Sequence, residues 1–216
     1  MAHVDLYWLP LGAGGHSVRH NGRAYEWLKA KREHREPLNL YHAGLEVRLI
    51  GRRYVIEMTP IPRGDPATRG VVAEGPVGSP LLGRFRLFRY EVRRWPGGKI
   101  PDVAEAVDSP RRLVTDPRVA RRLLDLVPTV PTYVWGRDEL GVNDMWNSNS
   151  LVAWLLAVSG IDAESVQPPA RGRAPGWHAG LAAAQASTRA EAPSSAARAS
   201  RTGTKRPTKI GVSRSV

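Results

Sequence analysis

A run of small polar residues stands immediately before the most apolar segment of the chain. Asn147-Ser148-Asn149-Ser150 precedes Leu151–Ser159, whose composition predicts a buried helix. A hydroxyl at the start of a helix faces free backbone N–H groups and the positive end of the helix dipole. Those groups can stabilise an oxyanion, so a serine in this run is a candidate nucleophile. The structural alternative is that one of these side chains only caps the helix.

A serine nucleophile requires a base, and the leading candidate is His42. It lies in LYHAGLEVRLI, whose pattern predicts a strand over Leu40–Ile50. Glu57 lies in a second predicted strand, Tyr54–Met58, joined to the first through the turn GRR. Pairing about that turn sets Glu57 opposite Arg48 or its neighbour, so hairpin spacing alone does not join Glu57 to His42. The alternatives are a histidine satisfied by a backbone carbonyl and an acid on the solvent face of the sheet.

The order of these features resembles the circularly permuted branch of the NlpC-type, papain-like hydrolases. The features are a histidine in HAGLEV, a polar residue at the end of YVIE, and a helix that begins NSNSLVAWLL. In that branch a strand histidine precedes the nucleophile, which is normally the cysteine of an Asn-Cys pair at the start of a helix. The resemblance covers about residues 38–160. It implies that Ser148 is the nucleophile, that His42 is the base, and that Glu57 is the third, orienting residue.

The chain departs from this family because it contains no cysteine. A thiol can ionise beside an imidazolium and a helix N-terminus, whereas a serine must lose its proton as it attacks. Two functions therefore stay open. One is a serine-variant acyl hydrolase or acyltransferase that acts on amide or ester substrates. The other is a catalytically inactive module of the same fold that binds peptide or acyl ligands. Neither function requires a cofactor.

Two weaker patterns suggest other kinds of site. His3, His16, His20 and His34 are scattered and lack the H-E-x-x-H spacing of zinc enzymes, so we expect no metal site. The glycine-rich Gly12–Ser17 segment lacks the G-K-[ST] of a phosphate-binding loop, so we expect no nucleotide site.

A tryptophan-rich segment leads into the polar run. Within it, Arg137 and Asp138 are expected to clamp a loop as a pair or, alternatively, to line a cleft. Trp135, Trp146 and Trp154 are expected in the core, with Trp135 or Trp146 as alternative walls of an acyl pocket.

The remaining patterns predict an α+β fold with an antiparallel sheet packed by helices, in a permuted papain-like architecture. Asp116 and Pro117 predict the start of a helix that runs to Leu126. The other predicted elements are a helix over 24–35 with Tyr25, Trp27 and Leu28 facing inward, a strand over Arg84–Trp95, and a connector from Pro168 pinned by Trp177.

Composition divides the 216 residues into a folded domain, 1–181, and a basic tail, 182–216. From Ala183 onward there are seven basic residues, one acid and no aromatic residue, which predicts disorder. The net charge of +12 leaves nucleic-acid binding through the tail as a less favoured function.

The chain has no apolar run near the about 18 residues that a membrane helix needs. Its start lacks the basic and apolar segments of a signal peptide, so we expect a cytoplasmic protein without a membrane span.

Overall fold

The computed structural model describes residues 1–12, 26–61 and 69–191 of the chain. Helices pack on an antiparallel sheet, which confirms the predicted α+β class. The strands are β1 (His3–Pro10), β2 (Asn39–Leu49), β3 (Arg52–Pro60), β4 (Val71–Pro76), β5 (Arg89–Pro96), β6 (Val107–Val114) and β7 (Gly172–Arg173). The helices are α1 (residues 26–32), α2 (Pro117–Leu126), α3 (Ser148–Ser159) and α4 (Trp177–Glu191). The strand order is β4-β5-β3-β2-β1-β6, and β7 pairs in parallel with the start of β2.

The two strands expected to carry the site form a hairpin, as predicted. Its turn consists only of Ile50 and Gly51, whose φ angles are +50° and +73°. Positive φ at both central residues is the requirement of a tight type I′ turn, whose twist matches that of the strands. Arg48 therefore pairs with Arg53. The predicted register, with Glu57 opposite Arg48 or its neighbour, is wrong because the turn begins earlier and is shorter than GRR.

Four of the described strands, β1, β4, β6 and the two-residue β7, were not predicted from the sequence. β1 lies inside the sheet, between β2 and β6, and turns Val4, Leu6 and Trp8 into the core. This alternation is present in HVDLYWLP and is the period-two signal of a half-buried strand. β6 contains Pro110, which has no backbone N–H to donate. An edge strand tolerates proline because the backbone groups on its outer side need no partner in the sheet.

The strand predicted over Arg84–Trp95 begins only at Arg89. The preceding Leu82–Arg84 and Arg86–Phe88 form two short 3-10 turns. The apolar side chains of this segment point to solvent instead of packing on a sheet face. Alternation alone therefore did not identify a strand here, because no neighbouring strand pairs with these residues.

The first helix was predicted with the wrong buried face. Among the described residues α1 covers 26–32, and Trp27 and Leu28 are 55% and 62% exposed. Ala30 and the carboxylate residue Glu26 are buried instead. Arg35 donates a hydrogen bond to Glu26 at 2.5 Å, which provides the buried charge with a partner. Tyr25 lies outside the described residues.

The helix predicted from Asp116 is confirmed. The Asp116 side chain accepts a hydrogen bond from the Arg118 N–H at 2.7 Å, and Pro117 occupies the first helical turn. The apolar helix before Gly160 is also confirmed: Gly160 ends α3 with a φ of +89°, the left-handed cap that glycine favours.

The predicted start of the tail is wrong, because α4 continues through the predicted boundary to Glu191. Ala183 and Ala184 are buried in the core, and small side chains allow this helix to lie close to α3. Trp177 does pin its segment: its indole N–H donates to Ala163 O at 3.0 Å, and its ring lies 5.4 Å from that of Trp8. Residues 192–216 of the predicted tail lie outside the described residues.

The main core lies between one face of the sheet and helices α2, α3 and α4. A smaller cluster of Leu9, Val55 and Ile100 covers part of the sheet. In the described part of the chain, no helix is long and apolar enough to cross a bilayer. Two predicted site residues lie in the sheet, His42 on β2 and Glu57 on β3. The third, Ser148, begins α3, which packs against both strands.

Candidate active site

The polar run predicted to hold a nucleophile forms the beginning of α3. Asn147 is the N-cap: its side-chain oxygen accepts from the N–H groups of Asn149 and Ser150. The Ser150 hydroxyl in turn accepts from the Asn147 N–H at 3.0 Å, which completes a capping box. The capping role expected as the structural alternative therefore belongs to Asn147 and Ser150.

Asn149 joins the start of α3 to β2 on both sides of His42. Its side-chain oxygen accepts from the Ala43 N–H at 2.7 Å, and its side-chain nitrogen donates to Tyr41 O at 3.0 Å. The pairing of β2 with β3 begins only at Leu45, so the Asn149 amide satisfies strand groups that have no strand partner there. The residue before Asn149 is Ser148, so the helix start and the His42 segment meet at this point of the fold.

The same helix start is tied to α4. The Asp144 carboxylate accepts from the N–H groups of Gly176 and His178 at 2.8 and 3.2 Å. Ser150 donates to Gly176 O at 2.7 Å. A carboxylate at the start of α4 also complements the positive end of that helix. Asp144 and Ser150 are consequently structural, and both are buried.

Ser148 differs from its three polar neighbours. It is the first residue of α3 and is half-buried. Within the described residues its hydroxyl makes no hydrogen bond, and neither does its N–H, whereas Asn147, Asn149 and Ser150 all use their side chains. A hydroxyl and an N–H without internal partners remain available to a ligand at the positive end of the helix.

His42 lies directly opposite Leu9 of β1 and is half-buried. Burial lowers the pKa of its imidazole to about 4, although the negative charge of Asp102 acts in the opposite direction. The ring is therefore neutral at pH 7, the state in which one nitrogen can accept a proton. No hydrogen bond joins His42 to Ser148 in the described part of the chain.

Glu57 does not accompany His42, contrary to the predicted orienting role. Its carboxylate accepts a hydrogen bond from Arg93 at 2.7 Å. Burial raises the pKa of Glu57, and the nearby Arg93 charge partly offsets that effect. Arg93 also pairs with the fully buried Glu91, which Arg69 contacts at 2.9 Å. This network neutralises buried charge inside the sheet, which is a structural role.

The acid whose charge acts on His42 is Asp102, which sequence reasoning missed. Asp102 lies on the segment between β5 and β6 and adopts a φ of +55°. Nearby on that segment, Ile100 packs against Leu9, the cross-strand neighbour of His42. In the sequence, Asp102 is only an acid two residues after Ile100, and the two are far from His42 along the chain. Hairpin spacing therefore could not predict that Asp102 acts on His42.

The tryptophan-rich segment fixes a loop, although not through the predicted pair. Arg137 donates to Gly78 O at 2.7 Å, while Asp138 accepts from the N–H groups of Val142 and Asn143. Arg137 and Asp138 thus act separately. Trp146 is buried, 5.1 Å from the ring of Tyr133, as expected of a core residue.

The other tryptophans of this segment have different surroundings. Trp154 is buried and its indole donates to Ser187 Oγ at 3.2 Å. Trp135 is only partly buried and lies 5.7 Å from the ring of Tyr90.

The remaining predicted candidates are four histidines and the glycine-rich loop. The described residues contain no cluster of three side chains able to hold a metal ion. His3 lies 3.5 Å from Asp5. His16, His20 and most of the Gly12–Ser17 loop fall outside the residues that the structure describes.

Comparisons with known proteins add no information to the geometry of the candidate site. No family model, no curated protein and no solved structure matches this chain.

Proposed function

We propose that this chain is a serine variant of the permuted papain-like hydrolases that transfers acyl groups from amide or ester substrates. The supporting observation is the pair of hydrogen bonds from Asn149 to Tyr41 and Ala43. They hold the two neighbours of His42 against the residue that follows Ser148. Base and nucleophile, 106 positions apart in the chain, are thereby attached to one structural brace.

In this mechanism the Ser148 oxygen attacks the carbonyl carbon of the substrate while a His42 nitrogen takes the hydroxyl proton. The Ser148 N–H and the start of α3 stabilise the oxyanion. Collapse breaks the bond to the leaving amine or alcohol, which receives the proton from His42. Water or a second acceptor then attacks the acyl-serine while His42 takes its proton, and His42 gives that proton to the Ser148 oxygen as the acyl–serine bond breaks. Asp102 favours the transient imidazolium through its charge.

The test is labelling with a fluorophosphonate, which phosphonylates activated serines. We expect one adduct on the intact protein, mapped to the peptide containing Ser148, and loss of that adduct in Ser148→Ala and His42→Ala. Ser165→Ala is the matched control, because Ser165 is exposed, lies outside α3 and donates its hydroxyl to Asp162 O at 2.9 Å. A folded parent that is unlabelled, or a Ser148→Ala variant labelled equally, contradicts the proposal.

A second candidate is the inactive module that binds peptide or acyl ligands. It is favoured by one observation, which is that Ser148 and His42 share no hydrogen bond among the described residues. This module predicts no fluorophosphonate adduct but retained affinity for acyl-peptides after Ser148→Ala, measured by calorimetry.

Two further expectations are kept as predictions. Nucleic-acid contact through the basic tail depends on residues outside the described ones. The cytoplasmic location depends on the sequence alone.

A further inference from the structure

Within the described residues, exposed apolar side chains are most concentrated in the loop between β4 and β5. The described residues hold ten exposed large apolar side chains, and five of them lie within Leu81–Phe88. These five are Leu81, Leu82, Phe85, Leu87 and Phe88, which are 71%, 39%, 56%, 85% and 36% exposed. We name Leu81–Phe88 the apolar-arginine loop. Such a concentration on the surface indicates an interaction site, since scattered single residues would need no explanation.

The backbone of the apolar-arginine loop is held firmly although its side chains are not buried. Both of its 3-10 turns are closed by backbone hydrogen bonds, at 2.9 Å each. The loop is closed at its base by the Val77 N–H, which donates to Phe88 O at 2.8 Å. Gly83 is buried against Pro76, where a Cβ would approach within 2.6 Å. The fold thus presents these apolar side chains outward from a fixed base.

Charge accompanies this apolar surface. Residues 77–90 contain three arginines, Arg84, Arg86 and Arg89, and no acidic residue. Arg84 is exposed and its Nε donates only to Leu81 O, within the loop. Arg89 pairs with Glu74 on β4. The exposed part of the loop therefore combines leucine and phenylalanine side chains with the positive charge of Arg84, while Glu74 offsets the charge of Arg89 at the base of the loop.

We propose that the apolar-arginine loop docks on the surface of an anionic lipid bilayer. Apolar side chains enter the boundary between headgroups and acyl chains, while the Arg84 guanidinium pairs with lipid phosphates or carboxylates. A second copy of this chain is a poorer occupant, because symmetric contact would bring Arg84 against a second loop whose residues 77–90 contain no acidic side chain. The exposed apolar side chains and Arg84 lie together on one hydrogen-bonded loop, which suits contact with a negatively charged surface that has an apolar interior.

The first experiment measures flotation of the full chain with phosphatidylcholine vesicles, with and without phosphatidylserine. We expect binding only when phosphatidylserine is present, weakening as salt rises. Phe85→Ser with Leu87→Ser should lower the partition coefficient about tenfold, since two buried side chains are lost. Trp27→Ser with Leu28→Ser, the exposed pair on α1, is the matched control and should leave binding unchanged. Every variant retains the basic tail, so the contribution of the tail cancels.

The second experiment uses the absence of cysteine in the chain. An environment-sensitive fluorophore on Leu87→Cys should shift to the blue with anionic vesicles, whereas the same label on Ser165→Cys should not. Unchanged binding of the Phe85/Leu87 variant, or equal shifts at both labels, overturns the proposal. A parent dimer in sedimentation that the Phe85/Leu87 variant converts to monomer also overturns it, because the loop would then join two copies.

Discussion

The four adjacent polar side chains at the start of α3 differ in burial and in hydrogen bonding. Asn147, Asn149 and Ser150 are each buried and satisfied by backbone groups of neighbouring elements. Ser148 is half-buried and makes no side-chain hydrogen bond within the described residues. Packing therefore leaves position 148 open to a change of side chain, and a substitution there reports on chemistry rather than on stability.

The first prediction replaces the candidate nucleophile with Ser148→Cys. The start of α3 favours a thiolate through its dipole, so the thiol pKa should fall below its usual value of about 8.5. We expect alkylation at pH 7 faster than for an unperturbed thiol, followed by the mass increase of the single labelled site. No other cysteine is present to react.

The control is Ser165→Cys, an exposed thiol away from any long helix start. Addition of His42→Ala to Ser148→Cys should slow alkylation if the imidazole takes the thiol proton. Equal rates for Ser148→Cys and Ser165→Cys would show that position 148 is only a helix position. If His42→Ala does not change the alkylation rate of Ser148→Cys, the imidazole does not take the proton of the residue at position 148.

The second prediction follows from the pKa of His42, which is about 4 in the fold against 6.5 when unfolded. Between these values the unfolded chain binds a proton that the folded chain does not. The stability contributed by the neutral ring is thus present above pH 6.5 and is lost as the pH falls towards 4. The loss is about 2 to 3 kcal/mol.

The measurement is the free energy of unfolding of the parent and of His42→Gln between pH 7 and pH 4. Other titrating groups are common to both proteins, so their difference isolates His42. The parent should lose more stability than the variant across this interval. Parallel curves would mean that His42 titrates normally in the folded state.

The side-chain amide of Asn149 connects α3 to two other elements, β2 and the start of α4. Its nitrogen donates to Tyr41 O on β2 and to Pro175 O just before α4, while its oxygen accepts from Ala43. Gly180 allows the close approach of α4, since a Cβ there would lie 2.3 Å from Ser150 O. The orientation of α3 is therefore set by polar contacts at its start and by the small residues of α4 that pack against it.

The third prediction is that Asn149→Asp destabilises the fold strongly. The aspartate keeps the shape of the side chain but removes both N–H donors, and it places a carboxylate beside two carbonyl oxygens. We expect a loss of about 3 kcal/mol or more in the free energy of unfolding by denaturant. The control is Asn143→Asp on an exposed loop. Similar small losses in both variants would show that the brace contributes little.

Elements were predictable where the sequence carried local signals. Asp116-Pro117 and Gly160 marked helix ends correctly, and the hydrophobic pattern identified β2 and β3. The Arg84–Phe88 alternation failed because strand pairing is a long-range property that no local period reports.

The candidate site was predictable only in part. Ser148 and His42 came from residue type and from the order of elements. Asp102 and the structural roles of Asp144 and Asn149 arise from contacts between distant segments.

At the scale of the whole molecule, α4 closes the core that the sheet begins. Trp177 at its start packs on Trp8 of β1, and Ser187 near its end accepts a hydrogen bond from Trp154 of α3. Ala183 and Ala184 lie between these points, fully or nearly buried. By composition, the alanine-rich segment from Ala183 predicts disorder. In the structure, its small side chains allow α4 to lie close to α3 and to be buried there.

The final prediction compares two truncations of the full chain. Ending the chain after Glu191 removes residues 192–216, which contain no aromatic residue and only three branched aliphatic residues. Ending it after Leu181 also removes ten residues of α4, with Ala183, Ala184 and the partner of Trp154. We expect the first truncation to leave the melting temperature nearly unchanged and the second to cost on the order of 3 kcal/mol, because core is exposed.

Thermal unfolding of both truncations and of the full chain measures this difference. Gln185→Ala in the full chain is a suitable control, since this α4 side chain is exposed and makes no hydrogen bond in the described part. If the chain ending at Leu181 melts with the parent, α4 beyond that point contributes no stability and the domain ends where composition alone placed it. If the chain ending at Glu191 melts much lower, residues 192–216 stabilise the domain despite their composition.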